Sequence, residues 1–174
     1  MGPEFAPGRD TVSLRPMTPA DVPAVMAVQA ACYGDGLLEP AGVVHDRLLA
    51  AADTCWVALR GGRVCAYLAA YRSRLGAVTA LHGPFRPAAR PDTLYLHDLA
   101  VHPDAHGAGL GGRLVDGLVA LARREGLRWS ALVAVQGATS FWHRHGYVPQ
   151  APTRPERLGA YGDDAFYMVR ALSA

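Results

Sequence analysis

One stretch constrains this chain more than any other: residues 94–117, LYLHDLAVHPDAHGAGLGGRLVDG. Leu94, Leu96, Leu99, Ala100 and Val101 make an apolar run of strand length. His102-Pro103-Asp104 stops that run, and His106, Gly107, Ala108, Gly109, Leu110, Gly111 and Gly112 follow as a glycine-crowded turn. Leu110, Leu114, Leu118 and Leu121 then recur at three- and four-residue spacing, and Val115, Val119 and Ala122 widen the stripe into one face of a helix. A strand that enters a helix through glycines suits an anion. The first N–H groups of a helix lack internal partners and sit at the positive end of its dipole. Glycine admits a phosphate to the backbone without a Cβ in the way. The turn is therefore either a phosphate cradle or a tight turn that needs glycine for packing alone.

Two phosphate motifs are excluded. The dinucleotide fingerprint GxGxxG fails because residues 107–112 read GxGxGG, and no acidic residue ends the next strand in the required place. No Lys-Ser or Lys-Thr follows the glycines, which excludes a Walker P-loop.

The flanking segments set the fold class. Residues 12–15 read as a first strand, ended by Pro16. Thr18 caps the next helix, with Pro19 in its first turn and Asp21 placed to accept the orphan N–H groups; the helix runs to about Cys32. Residues 33–36 break it and residues 43–52 form a second helix. Tyr33, Asp35 and Glu39 lie between the two, either as helix ends and loop or as one wall of a substrate pocket. Residues 54–60 and 63–71 read as a hairpin closed by Gly61-Gly62. A short strand is expected over 76–81, and a proline-rich loop over 82–92 that skirts the surface. After the central helix, closed by Gly126, come a strand over 129–135, a short helix over 137–145, a strand from Tyr147, a loop over 149–157 and a last strand over 165–172. This order predicts a mixed α/β sheet with helices on both faces.

Composition enters as a set of bounds. A length of 174 residues with 51% hydrophobic content makes residues 11–174 one domain with a substantial core. Residues 1–10, MGPEFAPGRD, are expected to be unstructured or vector-derived, and they lack the basic and apolar regions of a signal peptide. A net charge of +2 on scattered arginines does not make a nucleic-acid footprint. No apolar run reaches membrane-spanning length. Cys32, Cys55 and Cys65 are odd in number and have no CxxC spacing, which argues against a disulfide framework and a zinc site; they read as small buried residues. A cytoplasmic location is the corresponding expectation.

The central strand carries two ionisable residues. Strict alternation places Tyr95, His97 and Leu99 on one face and Leu96 and Asp98 on the other. Histidine is the side chain most often used as a general base, so His97 is a candidate general base or substrate binder as well as a candidate satisfied core histidine. Asp98 needs a raised pKa or a relay to act as a base, and otherwise positions the substrate or the strand. His143 and His145 are expected to face solvent, without a third metal ligand at suitable spacing.

The segment His106-Gly107-Ala108-Gly109-Leu110-Gly111 resembles the acyl-CoA signature Gln/Arg-x-x-Gly-x-Gly/Ala of the GNAT N-acetyltransferase superfamily. Leu99-Ala100-Val101-His102-Pro103 is similar to the strand end that precedes it in the family. Residues 138–147, ATSFWHRHGY, resemble the family's Ala-x-x-Phe-Tyr-x-x-x-Gly-Phe segment. The resemblance covers nearly the whole chain. It implies a mostly antiparallel GNAT-like sheet with a splayed central strand pair. It also implies that acetyl-CoA is the co-substrate, and that the acetyl group moves to a primary amine by direct attack in a ternary complex. Backbone groups of Leu99, Ala100 and Val101 would then hold the pantetheine arm. N–H groups from Gly107, Ala108, Gly109, Leu110, Gly111 and Gly112 would hold the pyrophosphate.

The chain departs from that pattern at three places. His106 replaces Gln/Arg and either donates to phosphate or only borders the turn. Trp142 stands where the family's tyrosine acts as acid, a task that indole N–H cannot perform; it is assigned to the pantetheine wall. Val135 stands where many members have asparagine, with Gln136 as a neighbour able to compensate. Tyr33, Glu39 and Tyr161 are acceptor-site candidates, and residues 161–164 are also a candidate dimer contact. The amine can be a small molecule or a peptide. The alternatives are another acyl chain, a hydroxyl acceptor, or a noncatalytic acyl-CoA sensor.

Overall fold

The structure, a computed structural model, describes residues 11–172. In chain order it contains β1 (Val12–Pro16), α1 (Val22–Cys32), α2 (Ala41–Ala50), β2 (Cys55–Arg60), β3 (Arg63–Ser73), β4 (Thr93–Val101), α3 (Leu110–Arg124), β5 (Trp129–Ala134), α4 (Thr139–Arg144), β6 (Val148–Pro149) and β7 (Phe166–Ala171). Short 3-10 turns lie at Pro19–Asp21, Asp35–Leu37, Pro103–Ala105 and Pro155–Tyr161. The expectation for residues 1–10 lies outside the described residues.

One sheet of order β1-β2-β3-β4-β5-β7-β6 organises the chain. Gly61 and Gly62 take φ of 59° and 80°, the left-handed pair that lets β2 turn directly into β3 with Arg60 opposite Arg63. All neighbours are antiparallel except β4 and β5, whose parallel pairing requires the α3 crossover. Leu110, Leu114 and Leu118 of α3 pack on Leu94, Leu96 and Leu132 on one face. Val25 and Val28 of α1 and Leu48 of α2 pack with Val57, Tyr67, Tyr95 and Val169 on the other. The amphipathic stripe of α3 is therefore one of two cores, and the sheet is the mixed, helix-flanked one expected.

Two irregularities of β4 position the site. Its pairing with β3 shifts register, with Ala69 opposite Asp98 but Ala70 opposite Leu96, so that His97 is the extra residue of a β-bulge. An extra residue reverses the parity of everything beyond it. The expected alternation across His97 and Asp98 is accordingly wrong. Both side chains turn toward the core of α1 and α2, where His97 lies against Phe85 and Asp98 meets Tyr67, while Leu99 packs with Leu96 on the α3 side. The second irregularity is that β4 pairs with β5 only from Thr93 opposite Trp129 to Leu96 opposite Leu132. Beyond the bulge the two strands part.

The remaining differences from expectation have local causes. Residues 76–81 are not a strand: Ala77 N–H closes a turn onto the Arg74 carbonyl, and β3 pairs directly with β4, which leaves no edge there. The 82–92 loop does more than skirt the surface, because Phe85 is buried and stacks on Tyr71 at 4.4 Å. The 149–157 loop runs into the 3-10 turn that Pro155 begins. Cys55 is buried as expected, but Cys32 and Cys65 are only half-buried, and all three thiols are free.

Candidate active site

The glycines of the turn separate into two kinds. Gly107 and Gly109 have φ of 85° and 70°, and a Cβ built on either would meet nothing within 4 Å. Their backbone faces open space just ahead of α3. A Cβ on Gly111 would instead reach Val101, Phe141 and Leu99 at 3.4–3.7 Å, and one on Gly112 would come within 3.2 Å of His145. The last two glycines serve packing, and the first two leave room for a ligand. Arg113 N–H bonds the Gly109 carbonyl at 3.1 Å, so Leu110, Gly111 and Gly112 precede the first closed turn of α3 and have no helical carbonyl to bond. Donors, a positive dipole end and missing Cβ atoms together fit the pyrophosphate of a CoA.

The parted strands enclose a cavity of about 340 Å3. His102 N–H bonds the Cys65 carbonyl in β3, so alternation turns the N–H and C=O groups of Leu99 and Val101 the other way, toward the gap. The Leu99 carbonyl accepts from Tyr33 Oη at 2.9 Å and the Val101 carbonyl from Cys32 Sγ at 3.1 Å. His106 Nε2 also lies 3.0 Å from the Val101 carbonyl, so its ring is folded against the strand edge. Ala138 and Trp142 form the facing wall. Trp142 is 7% exposed and meets Phe141 and Tyr147 edge-on at 4.9 and 5.4 Å. Tyr147 is core, its hydroxyl 2.7 Å from Ser130 Oγ. Val135 and Gln136 also line the cavity, whereas Asp35 is exposed.

The bulge delivers the polar centre. His97 Nε2 lies 2.8 Å from Glu39 Oε1, and the same oxygen accepts from Arg47 at 2.6 Å. Glu39 Oε2 accepts the His82 N–H at 2.8 Å, and Glu39 N–H donates to Gln29 Oε1 at 2.8 Å. Arg47 also donates to the Gly83 carbonyl at 2.9 and 2.7 Å. Burial pushes the Glu39 carboxyl up, but hydrogen bonds from His97 and Arg47 outweigh it and hold it at about 2. An ionised Glu39 only accepts, so His97 donates from Nε2, and in the neutral ring the lone pair is then on Nδ1. That Nδ1 is buried and has no protein partner among the described residues.

Asp98 forms the other half of the centre. Tyr33 Oη donates to Oδ1 at 2.7 Å and Tyr67 Oη to Oδ2 at 2.5 Å. Burial raises the Asp98 carboxyl, against the opposing pull of His97 and the two hydroxyls. Burial likewise raises Tyr33, Tyr67 and Tyr161, which keeps them neutral donors. Tyr161 Oη donates to the Thr79 carbonyl at 2.5 Å.

The fold thus brings His97, Asp98, Tyr33, Glu39, Tyr161, Leu99, Ala100, Val101, His106 and Trp142 to one cavity. Arg47, Tyr67 and Phe85 escaped the sequence reading. Arg47 had a signal: a charged residue on the apolar stripe of α2, one position before buried Leu48. His143 is exposed as expected, whereas His145 is half-buried, its ring packing on Phe141 at 4.6 Å. Among the described residues no group of three His, Cys, Asp or Glu is placed to hold a metal ion.

No curated protein matches the sequence. Solved structures show the same fold at low identity. The loading GNATL domain of CurA from Lyngbya majuscula superposes with a TM-score of 0.77 at 13% identity, over 94% of this chain and 98% of that one. The GphF GNAT-like decarboxylase in complex with isobutyryl-CoA gives 0.72 at 21% identity, over 92% and 100%. The ribosomal-protein-S18-alanine N-acetyltransferase from Escherichia coli gives 0.69 at 15% identity, over 94% and 96%. Residues 23–147 match the acetyltransferase (GNAT) family, a span from the start of α1 through the glycine turn to Tyr147. The chain belongs to the acetyltransferase (GNAT) family.

Proposed function

We propose that this protein transfers an acetyl group from acetyl-CoA to a primary amine, with both substrates bound together. The observation that carries the reading is the parted edge of β4 and β5: one cavity runs from His106, beside the glycine turn, to the His97–Glu39 pair. Acetyl-CoA, when bound, supplies an acyl carbonyl activated by a thiol leaving group. The N–H groups of residues 107–112 bind its pyrophosphate, and the gap-facing groups of Leu99 and Val101 orient its arm. Trp142 and Ala138 wall off water on the opposite side. His97 Nδ1, buried just behind the cavity wall, takes the proton of the amine through a relaying water, and Glu39 steadies the charge that then appears on the ring through Nε2. Asp98, already bonded by two tyrosines, positions the strand and the amine. Trp142 gives up no proton, and a thiol of pKa near ~8.5 leaves without an acid. Free thiols suit a reducing, cytoplasmic setting.

The test is thiol release from acetyl-CoA over a panel of amines, with H97A beside the parent. Release that depends on the amine and collapses in H97A supports the reading. A second reading, a noncatalytic acyl-CoA sensor, is favoured by Trp142 in the acid's place. CoA binding without thiol release for any acceptor would select it.

A further inference from the structure

Resting on the acyl-transfer reading, the cavity wall also speaks to the class of amine. The cavity is lined by Leu37 of the 3-10 turn after α1, Leu81 of the 74–92 loop, Val133 of β5 and Val135 just beyond it, and Tyr33 and Tyr161. Leu37 and Leu81 are half-buried, packing on the core of α1 and α2 while also lining the cavity.

The polar groups beside these residues are already engaged. Glu39 is held by Arg47, His97 and the His82 N–H. Asp98 accepts from Tyr33 and Tyr67, and the Tyr161 hydroxyl is spent on Thr79. No arginine lines the cavity among the described residues. The wall thus offers no unpaired carboxylate for a second ammonium and no guanidinium for a carboxylate or phosphate. Burying a charge without such a partner is prohibitive. His97 Nδ1 is left without a partner, but it lies behind the wall rather than on it, the His97 side chain being 2% exposed. At about 340 Å3 the cavity is near the lower limit of small-molecule sites, roughly 300–1,000 Å3. It must also admit the end of the pantetheine arm.

We infer that the acceptor is a small monoamine on an uncharged hydrocarbon frame, not a polyamine, an aminoglycoside, an amino acid or a protein lysine. The test is a steady-state series at saturating acetyl-CoA: propylamine to hexylamine, benzylamine and phenethylamine, against putrescine, spermidine, an aminoglycoside, free amino acids and a lysine peptide. All 17 of the chain's Lys and Arg residues are arginine, so lysine self-acetylation adds no background. The expected result is a kcat/KM that rises about fourfold per added methylene until the cavity is full. Each doubly charged amine should fall at least about tenfold below the monoamine of equal length. A preference for a diamine, aminoglycoside, amino acid or lysine peptide overturns the inference and leaves acetyl transfer standing. Absence of thiol release with every amine overturns both. Leu81→Glu, checked for folding by circular dichroism, should move the preference toward diamines; an unchanged preference counts against the inference. If that variant does not fold, the series on the parent protein decides.

Discussion

The two ends of the cavity are made of different material. At the turn end the ligand-facing surface is backbone: N–H groups at the start of α3, two glycines with positive φ, and the edge of Leu99 and Val101 that β5 leaves unpaired. Elsewhere in the cavity it is largely side chain: Tyr33, Leu37, Leu81 and Tyr161 converge on the bulge in β4. A backbone site tolerates exchange of most side chains and depends on a few glycines. A side-chain site depends on every partner in its network, and its chemistry can change without any change of fold.

H97A should lower kcat by roughly 10²–10⁴, the range for losing a general base, with CoA affinity unchanged. Full activity from pH 6 to 9 in that variant would show that the bulge serves structure only. Arg47→Met should cost about 3–5 kcal/mol of stability, read by denaturant unfolding, because Glu39 is then left buried and short of a partner. A smaller loss would mean that His97 and the His82 N–H suffice to hold the carboxylate. Gly109→Val should weaken CoA binding on the order of 10–100-fold by calorimetry, because it forces a branched side chain to φ of 70° and fills the cradle. Gly112→Ala crowds only the end of the His145 ring, and should leave CoA binding within about threefold. Equal effects at the two positions would abolish the distinction between ligand-facing and packing glycines.

The smallest effect is a pH dependence. Glu39 is held at about 2, below its ordinary value near 4.5, so the unfolded chain binds its proton first. Its contribution to stability is complete above the ordinary value and is lost as pH falls toward 2. The parent protein should therefore lose more melting temperature between pH 5 and pH 3 than Glu39→Gln does. Equal slopes would show that other carboxylates govern acid unfolding.

The parts of the fold that were legible in the sequence are those where local pattern and tertiary packing agree. The α3 stripe, the Gly61-Gly62 hairpin and the glycine turn each carry their signal within a few residues, and each is where it was expected. The bulge at His97 carries no such signal, because it arises from pairing β4 with a β3 whose register slips between Ala69 and Ala70. It moved Asp98 to the face of His97, which no reading of β4 alone can supply. Phe85 and residues 76–81 failed for the related reason that a proline-rich loop and a short apolar run do not reveal what they will cover.

By itself, then, the amino-acid sequence determined the sheet-and-helix order, the acyl-CoA signature and the chemistry of the turn. Those properties reside in backbone conformation and hydrophobic period, which neighbouring residues set. Tertiary structure decided which nitrogen of His97 is held, that Glu39 is spent on Arg47, and that Leu37, Leu81 and Val133 meet in one cavity. Those properties depend on contacts between residues far apart in the chain, up to 58 positions for His97 and Glu39 and 65 for Tyr33 and Asp98. Only the closed fold brings such groups within hydrogen-bonding distance.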